Sequence, residues 1–195
     1  MRAARDAWFA RFAGVRVDRL AFLDEFGPPA VPARWRTHGR AAPGERVVAT
    51  VPHGRWKSIS TVAVITAAGV VASASFDGAT TAELFLVFVR EAVVPALRPG
   101  QVLVLDNLPA HRSTAIDRLV AAAGATVARL PPYSPDFNPI EMAFSKVKTV
   151  LRKLARRTVD GLMSGIGEAL ASVSPSDSLS YIAHCGYATD RRKPL

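Results

Sequence analysis

Two hydrophobic periods succeed one another along this chain, and together they predict its elements. Residues 3–14 carry apolar positions at helical spacing between basic ones and predict a short amphipathic helix. Val17 to Phe26 (VDRLAFLDEF) predicts a strand, closed by Gly27-Pro28-Pro29. Residues 27–55 are rich in Pro, Gly and Arg without a period, which predicts a long connection with little regular structure. Lys57 to Ala67 is a β-branched run, Ala68-Gly69 a turn signal, and Val70 to Phe76 the returning strand of a hairpin. Thr80 or Thr81 caps a helix running to about Leu97, bent or ended by Pro95. Gln101 to Leu105 is a continuous apolar run, the mark of a strand buried on both faces, and Asp106 stands at its end. A helix over Ser113–Ala123 and a strand over Ala125–Leu130 follow. After the proline-rich LPPYSPDFNP come a helix over Pro139–Arg156 and one or two helices across 159–184.

A meander followed by alternating strands and helices predicts an α/β fold in one domain, with a mixed central sheet flanked by helices. The 195 residues are 49% hydrophobic, enough for a sizeable core. The formal net charge of +9 favours a polyanionic partner, either nucleic acid or an acidic membrane surface. A single cysteine, Cys185, excludes an internal disulfide framework and a cysteine-rich zinc site. The longest apolar runs fall far short of the roughly 20 residues of a membrane span. The N-terminus lacks the apolar segment of a secretory signal, so the expectation is a cytoplasmic protein without a membrane partner. No P-loop, dinucleotide fingerprint or nucleophile elbow is present.

The candidate chemistry lies in carboxylates. Asp24 and Asp106 both end strands, and ligands in open α/β sheets bind beyond the carboxyl ends of strands. Two carboxylates brought together repel unless a cation lies between them, and oxygen ligands without Cys suit Mg²⁺ or Mn²⁺. Asp106-Asn107 is also an ordinary turn pair. Alternation puts Leu20, Phe22 and Asp24 on one face and Leu23 and Glu25 on the other, without choosing which acid faces a site. Asn138-Pro139-Ile140-Glu141 fits a capping box with Asn138 at N-cap, so the local motif by itself favours Glu141 as a capping acid, while the helix would also present it beside basic residues. Ile140, Phe144, Val147, Leu151 and Leu154 form an apolar stripe on that helix, while Lys148 and Arg152 share the face of Glu141. Lys146, Lys148, Arg152, Lys153, Arg156 and Arg157 follow one another without an acid, as phosphate contacts or as a solvated face.

LDNLPAHR (105–112), LPPYSPDFNPIEMAFSKVK (130–148) and FLDEF (22–26) resemble the catalytic core of mariner-like bacterial insertion-sequence transposases. The 34 residues between Asp106 and Glu141 match the spacing of that group. The resemblance implies a ribonuclease-H-like fold and DNA strand cleavage and transfer by in-line phosphoryl transfer. It implies Asp24, Asp106 and Glu141 as catalytic ligands of two divalent cations, Mg²⁺ or Mn²⁺. Asn107, His111 and Asn138 would support those ligands or touch DNA, and Lys146, Lys148, Arg152 and Lys153 would bind the DNA backbone. The implied partners are double-stranded DNA, as transposon ends and a TA target, and a second copy of the chain on that DNA; the implied setting is the bacterial nucleoid. Such transposases carry an N-terminal helix-turn-helix region, for which the residues before Asp24 leave no room. A remnant that holds DNA through its basic surface without chemistry is therefore the second expectation. A metal-free hydrolase with paired carboxylates is a third, against which the basic surface and the motif around Glu141 argue.

Overall fold

A computed structural model of the chain describes residues 2–12, 14–27, 39–48, 59–107, 113–156 and 158–187. The predicted connection over 27–55 falls partly outside these residues, and its described part, 39–48, contains no helix or strand. His111, Arg157 and the 191–193 tail lie outside them as well.

Five strands form one mixed sheet in the order β3-β2-β1-β4-β5. They are β1 (Leu20–Phe26), β2 (Ile59–Thr66), β3 (Gly69–Asp77), β4 (Val102–Leu105) and β5 (Thr126–Arg129). The first three make an antiparallel meander, while β4 and β5 run parallel to β1. Parallel neighbours need a crossover, and helices supply it. Ala82–Phe88 (α2) and Val94–Ala96 (α3) lie between β3 and β4, and Thr114–Ala122 (α4) lies between β4 and β5. With α1 (Arg2–Arg11), α5 (Ile140–Leu154), α6 (Val159–Ala171) and α7 (Pro175–His184), they cover the sheet on both faces.

Alternation along β1 sorts its side chains into two cores. Leu20, Phe22 and Phe26 pack with α1, α5, α6 and α7, and Ala21 and Leu23 pack with α2, the turn after it and α4. Each fully buried large apolar side chain contributes roughly 1.5–3 kcal/mol. Helix α5 docks through Ile140, Ala143, Phe144, Val147 and Leu151, with Phe144 against Phe26 at 4.4 Å between ring centres. Leu154, predicted as the end of the stripe, is only half-buried; the helix stops there because Ala155 turns left-handed at φ 48°.

Several boundaries differ from the predicted ones for physical reasons. Strand pairing with β4 begins only at Leu20↔Val102, so Val17–Arg19 has no ladder partner and winds into a 3₁₀ turn. Thr81, rather than Thr80, caps α2, its side chain accepting from the Leu84 N–H. Pro95 has no N–H to give the preceding turn. The helix widens to a π turn over Val89–Val93 and ends at Ala96. The hairpin turns at Ala67-Ala68, one residue earlier than predicted, and Gly69 opens β3 at φ 102°. A Cβ there would also meet the Val173 carbonyl at 3.1 Å, so glycine is required twice over.

Candidate active site

The strand register builds the site. Leu23 of β1 pairs with Leu105 of β4 in a parallel ladder, so the next residues lie side by side: Asp106 just beyond β4, and Asp24 still inside β1, which runs on to Phe26 against β2 rather than ending at the acid as predicted. Leu20 and Phe22 belong to the core under α5, so Asp24 faces that layer and Glu25 the opposite one. This settles the choice that periodicity left open. Asp24, Asp106, Asn107, Asn138 and Glu141 all line one cleft of about 440 Å³, whose far wall is Leu130 to Pro135.

The predicted capping box does not form. Asn138 is buried, and its side-chain amide donates to Asp24 Oδ2 at 2.7 Å instead of turning to helix α5. Its own backbone N–H donates to the Pro135 carbonyl at 2.9 Å, leaving nothing for Glu141 to accept there. Pro139 occupies the N-cap without a side-chain cap bond. A bond to a carboxylate is charge-assisted and outweighs a neutral helix cap. The second Asp24 oxygen, Oδ1, accepts from the Glu25 N–H at 2.7 Å. Glu141 is thereby released from a capping role and stands exposed on the cleft rim, in the first turn of α5.

Asn138 Oδ1 is buried and has no hydrogen-bond partner. An orphaned acceptor in a carboxylate-lined cleft is a position for a donor or cation. The donor set is oxygen throughout, which fits a hard divalent ion. Among the described residues no three His, Cys, Asp or Glu side chains stand close enough to form a ready-made cage. The acids of the cleft are thus an aspartate on or just beyond each of two adjacent strands, with Glu141 on the rim.

The basic residues divide. Arg152 and Lys153 are exposed, whereas Lys146 Nζ is paired with Asp177 at 2.7 Å. Lys148 is half-buried, its ammonium 5.9 Å from the centre of the Phe26 ring.

A group of residues that sequence reasoning missed holds the far wall. The Arg5 guanidinium donates to Ser134 Oγ at 3.0 Å and to both oxygens of Asp136, and lies 4.0 Å over the Phe137 ring. These bonds hold the Asp136 carboxyl below the usual carboxylate range. Tyr187 donates to the Phe137 carbonyl at 2.8 Å and accepts from Trp8 Nε1 at 3.0 Å, and burial pushes its hydroxyl pKa well up. Helix α1 and the residue just beyond α7 thus grip Pro135–Phe137, the turn that delivers Asn138. These contacts join residues 50 to 179 apart, and no local pattern announces them.

A mixed five-stranded sheet with one aspartate within its central strand, a second just beyond the adjacent strand and a glutamate on the helix packed against it is a ribonuclease-H-like arrangement. The family model of the DDE superfamily endonucleases matches residues 19–162, and the chain belongs to that family. No curated protein matches the chain. Among solved structures, the Mos1 transposase paired-end complex with left transposon end superposes with a TM-score of 0.64 at 17% identity, over 94% of this chain and 60% of that one. A pre-cleavage Mos1 transpososome gives 0.60 at 17%, over 96% and 62%. The Mos1 mariner paired end complex with Mn gives 0.59 at 18%, over 96% and 62%. The likeness is one of fold, and the chain spans about three fifths of the length of these neighbours. Among the described residues no helix is long and apolar enough to cross a membrane.

Proposed function

We propose that the chain is the catalytic domain of a DNA transposase, residues 1–195 forming one domain that cleaves and joins DNA strands. The observation that carries this reading is the side-by-side placement of Asp24 and Asp106 in a cleft that Glu141 also lines. Asp24 and Asp106 would hold the cation, Glu141 would complete the ligand set from α5, and Asn138 holds the Asp24 carboxylate through its side-chain amide. Asn107 lines the same cleft and orients the group next to Asp106; His111 belongs to the same motif. Bound Mg²⁺ or Mn²⁺, two ions in this reading, would supply activation of a water or DNA 3′-hydroxyl and stabilisation of the leaving oxygen. The carboxylates would keep that charge in the cleft, where a scissile phosphate would undergo in-line displacement without a covalent protein intermediate.

The net charge of +9 and the exposed Arg152 and Lys153 supply phosphate contacts for double-stranded DNA. Transposon ends, a TA target and a dimer on DNA are the finer parts of this reading, as is a bacterial nucleoid setting. The DNA and manganese named for the neighbouring Mos1 complexes support it. Nothing favours a remnant without chemistry, since the family is one of endonucleases and the three acids share one cleft.

The test is metal-dependent nicking of supercoiled plasmid by the wild type, Asp24→Asn, Asp106→Asn and Glu141→Gln. Each variant is expected to lose at least roughly a hundredfold in rate, beyond the 10–100-fold typical of residues that only support a ligand. Nicking unchanged in Asp106→Asn would overturn the assignment.

A further inference from the structure

We infer that the open edge of β3 is where a second copy of this chain binds, its own β3 pairing antiparallel with the first across a two-fold axis. The second copy rests on the reading given above; the surface is inferred from features away from the cleft.

Charge marks the surface first. The 25 Lys and Arg residues leave two long gaps, with none from Ser58 to Val89 and none from Thr158 to Asp190. These stretches supply β2, β3, α2, α6 and α7. The fold brings the gaps together, since α6, α7 and the π turn after α2 all pack against β3. The first basic residue beyond the earlier gap, Arg90, is tied to Glu91 at 2.7 Å. In a chain of net charge +9, the elements around β3 therefore have little to offer a DNA phosphate. Two copies of so basic a protein repel least where neither presents Lys or Arg.

The strand itself is open. β3 is the outermost strand of the sheet, and among the described residues no strand pairs with its outer side. Edges are ordinarily protected by short length, charge or proline. The opposite edge has all three: β5 is four residues long, ends at Arg129 and is followed by Pro131-Pro132. β3 is nine residues long, and Gly69–Phe76 contains neither a charge nor a proline. The register shift opposite Val64 and Ile65 leaves Val71 as a bulge, so the regular stretch open to pairing is Ala72–Phe76. Apolar side chains accompany it. Val71, Leu84, Val87, Met163 and Leu179 all remain exposed, and they stand on β3, α2, α6 and α7. Unpaired backbone beside exposed apolar groups is what strand addition uses. A neutral strand is its own complement, and antiparallel pairing of two identical strands closes on itself. With β5 protected, assembly through the sheet stops at two copies. The surface lies two strands from β1 and leaves the cleft open.

Sedimentation equilibrium of the full chain, without DNA or metal, is run over a concentration series beside Val71→Lys, Ser73→Lys and Ser73→Thr. Val71 and Ser73 are exposed, so all three variants are expected to keep the wild-type melting temperature. A lysine at either position sets like charges against each other in the paired edges. Wild type and Ser73→Thr are expected to dimerise with equal affinity, and each lysine variant at least roughly tenfold more weakly. The wild-type amides of residues 72–76 are expected to gain protection from hydrogen exchange as concentration rises. Wild type that stays monomeric throughout would overturn the surface, and so would a dimer indifferent to both lysines. Protection of 72–76 that is independent of concentration would overturn it too, because a segment of the same chain would then cover the edge. A monomer that nicks plasmid with metal would sink this surface and leave the catalytic reading standing. A lysine-sensitive dimer that never nicks would uphold the surface and sink that reading.

Discussion

The side-chain amide of Asn138 donates to Oδ2 of Asp24 across 2.7 Å, joining residues 114 apart in the chain. The bond is buried, and its acceptor is a carboxylate within the central strand β1. A hydrogen bond to a charged group contributes about 1.5–3 kcal/mol, and its loss leaves the Oδ2 side of Asp24 without that donor. Asn138→Ala is expected to lower stability by an amount of that order. It is expected to weaken Mn²⁺ binding roughly 10–100-fold, as loss of ligand-supporting residues does. Titration calorimetry with Mn²⁺ checks this, and unchanged affinity in a folded variant would show that Asn138 does not position the aspartate.

Next to that bond, Arg5 and Tyr187 hold the turn over Pro135–Phe137 in two different ways. The Arg5–Asp136 pair is largely open to solvent, so Arg5→Ala is expected to change stability little. Its effect belongs on the cleft wall, and the expected result is a several-fold slower plasmid nicking rate with a nearly unchanged melting temperature. Tyr187→Phe removes a buried hydroxyl that serves both Phe137 and Trp8. Leaving those partners unsatisfied is expected to cost about 1–3 kcal/mol, read as a lower denaturant midpoint at unchanged slope. Equal stability losses in the two variants would contradict this division.

Much of this site is legible in the sequence because it rests on local patterns. The apolar run before Asp106 identifies a buried strand, and alternation in β1 limits the choice of acid to Asp24 or Glu25. Only the core under α5, α6 and α7, helices more than a hundred residues further on, resolves that choice. The capping box over Asn138–Glu141 is a sound local reading that loses to a stronger long-range acceptor. Lys146 reads in sequence as one of six like charges, but its partner Asp177 lies 31 residues on, in the first turn of another helix. The Arg5 and Tyr187 contacts leave no trace in periodicity, because neither residue departs from what its own element requires.

Asp177 gives the fold an acid limb. Lys146 donates to it at 2.7 Å, and the Ser174 hydroxyl and amide donate to the same oxygen in a capping box at the start of α7. These bonds, that of Lys146 first, lower its pKa from an ordinary 3.8 to about 2. A carboxyl depressed on folding stabilises fully above its unfolded value, and that contribution is lost as pH falls through the folded one. Wild-type melting temperature is therefore expected to fall between pH 4 and 2 more steeply than that of Asp177→Asn, the two curves converging at the acid end. A constant offset between them across that range would show that the carboxylate's charge is not what ties α7 to α5.

The same ion pair sorts the basic residues of α5. An ammonium already held by Asp177 has little to gain from a DNA phosphate, whereas Arg152 and Lys153 project into solvent at the last turn of the helix. Each phosphate of duplex DNA that the protein ceases to neutralise reduces the slope of log affinity against log salt by about 0.9. Arg152→Ala with Lys153→Ala is therefore expected to flatten that slope by as much as roughly 1.8. Lys146→Ala is expected to leave the slope as it is and to lower the melting temperature, because it strips Asp177 of its partner. Duplex binding measured by anisotropy across a salt series separates the two. A Lys146→Ala slope that falls as far as that of the double variant would mean that DNA draws the lysine off Asp177, and that the basic face extends along the whole helix.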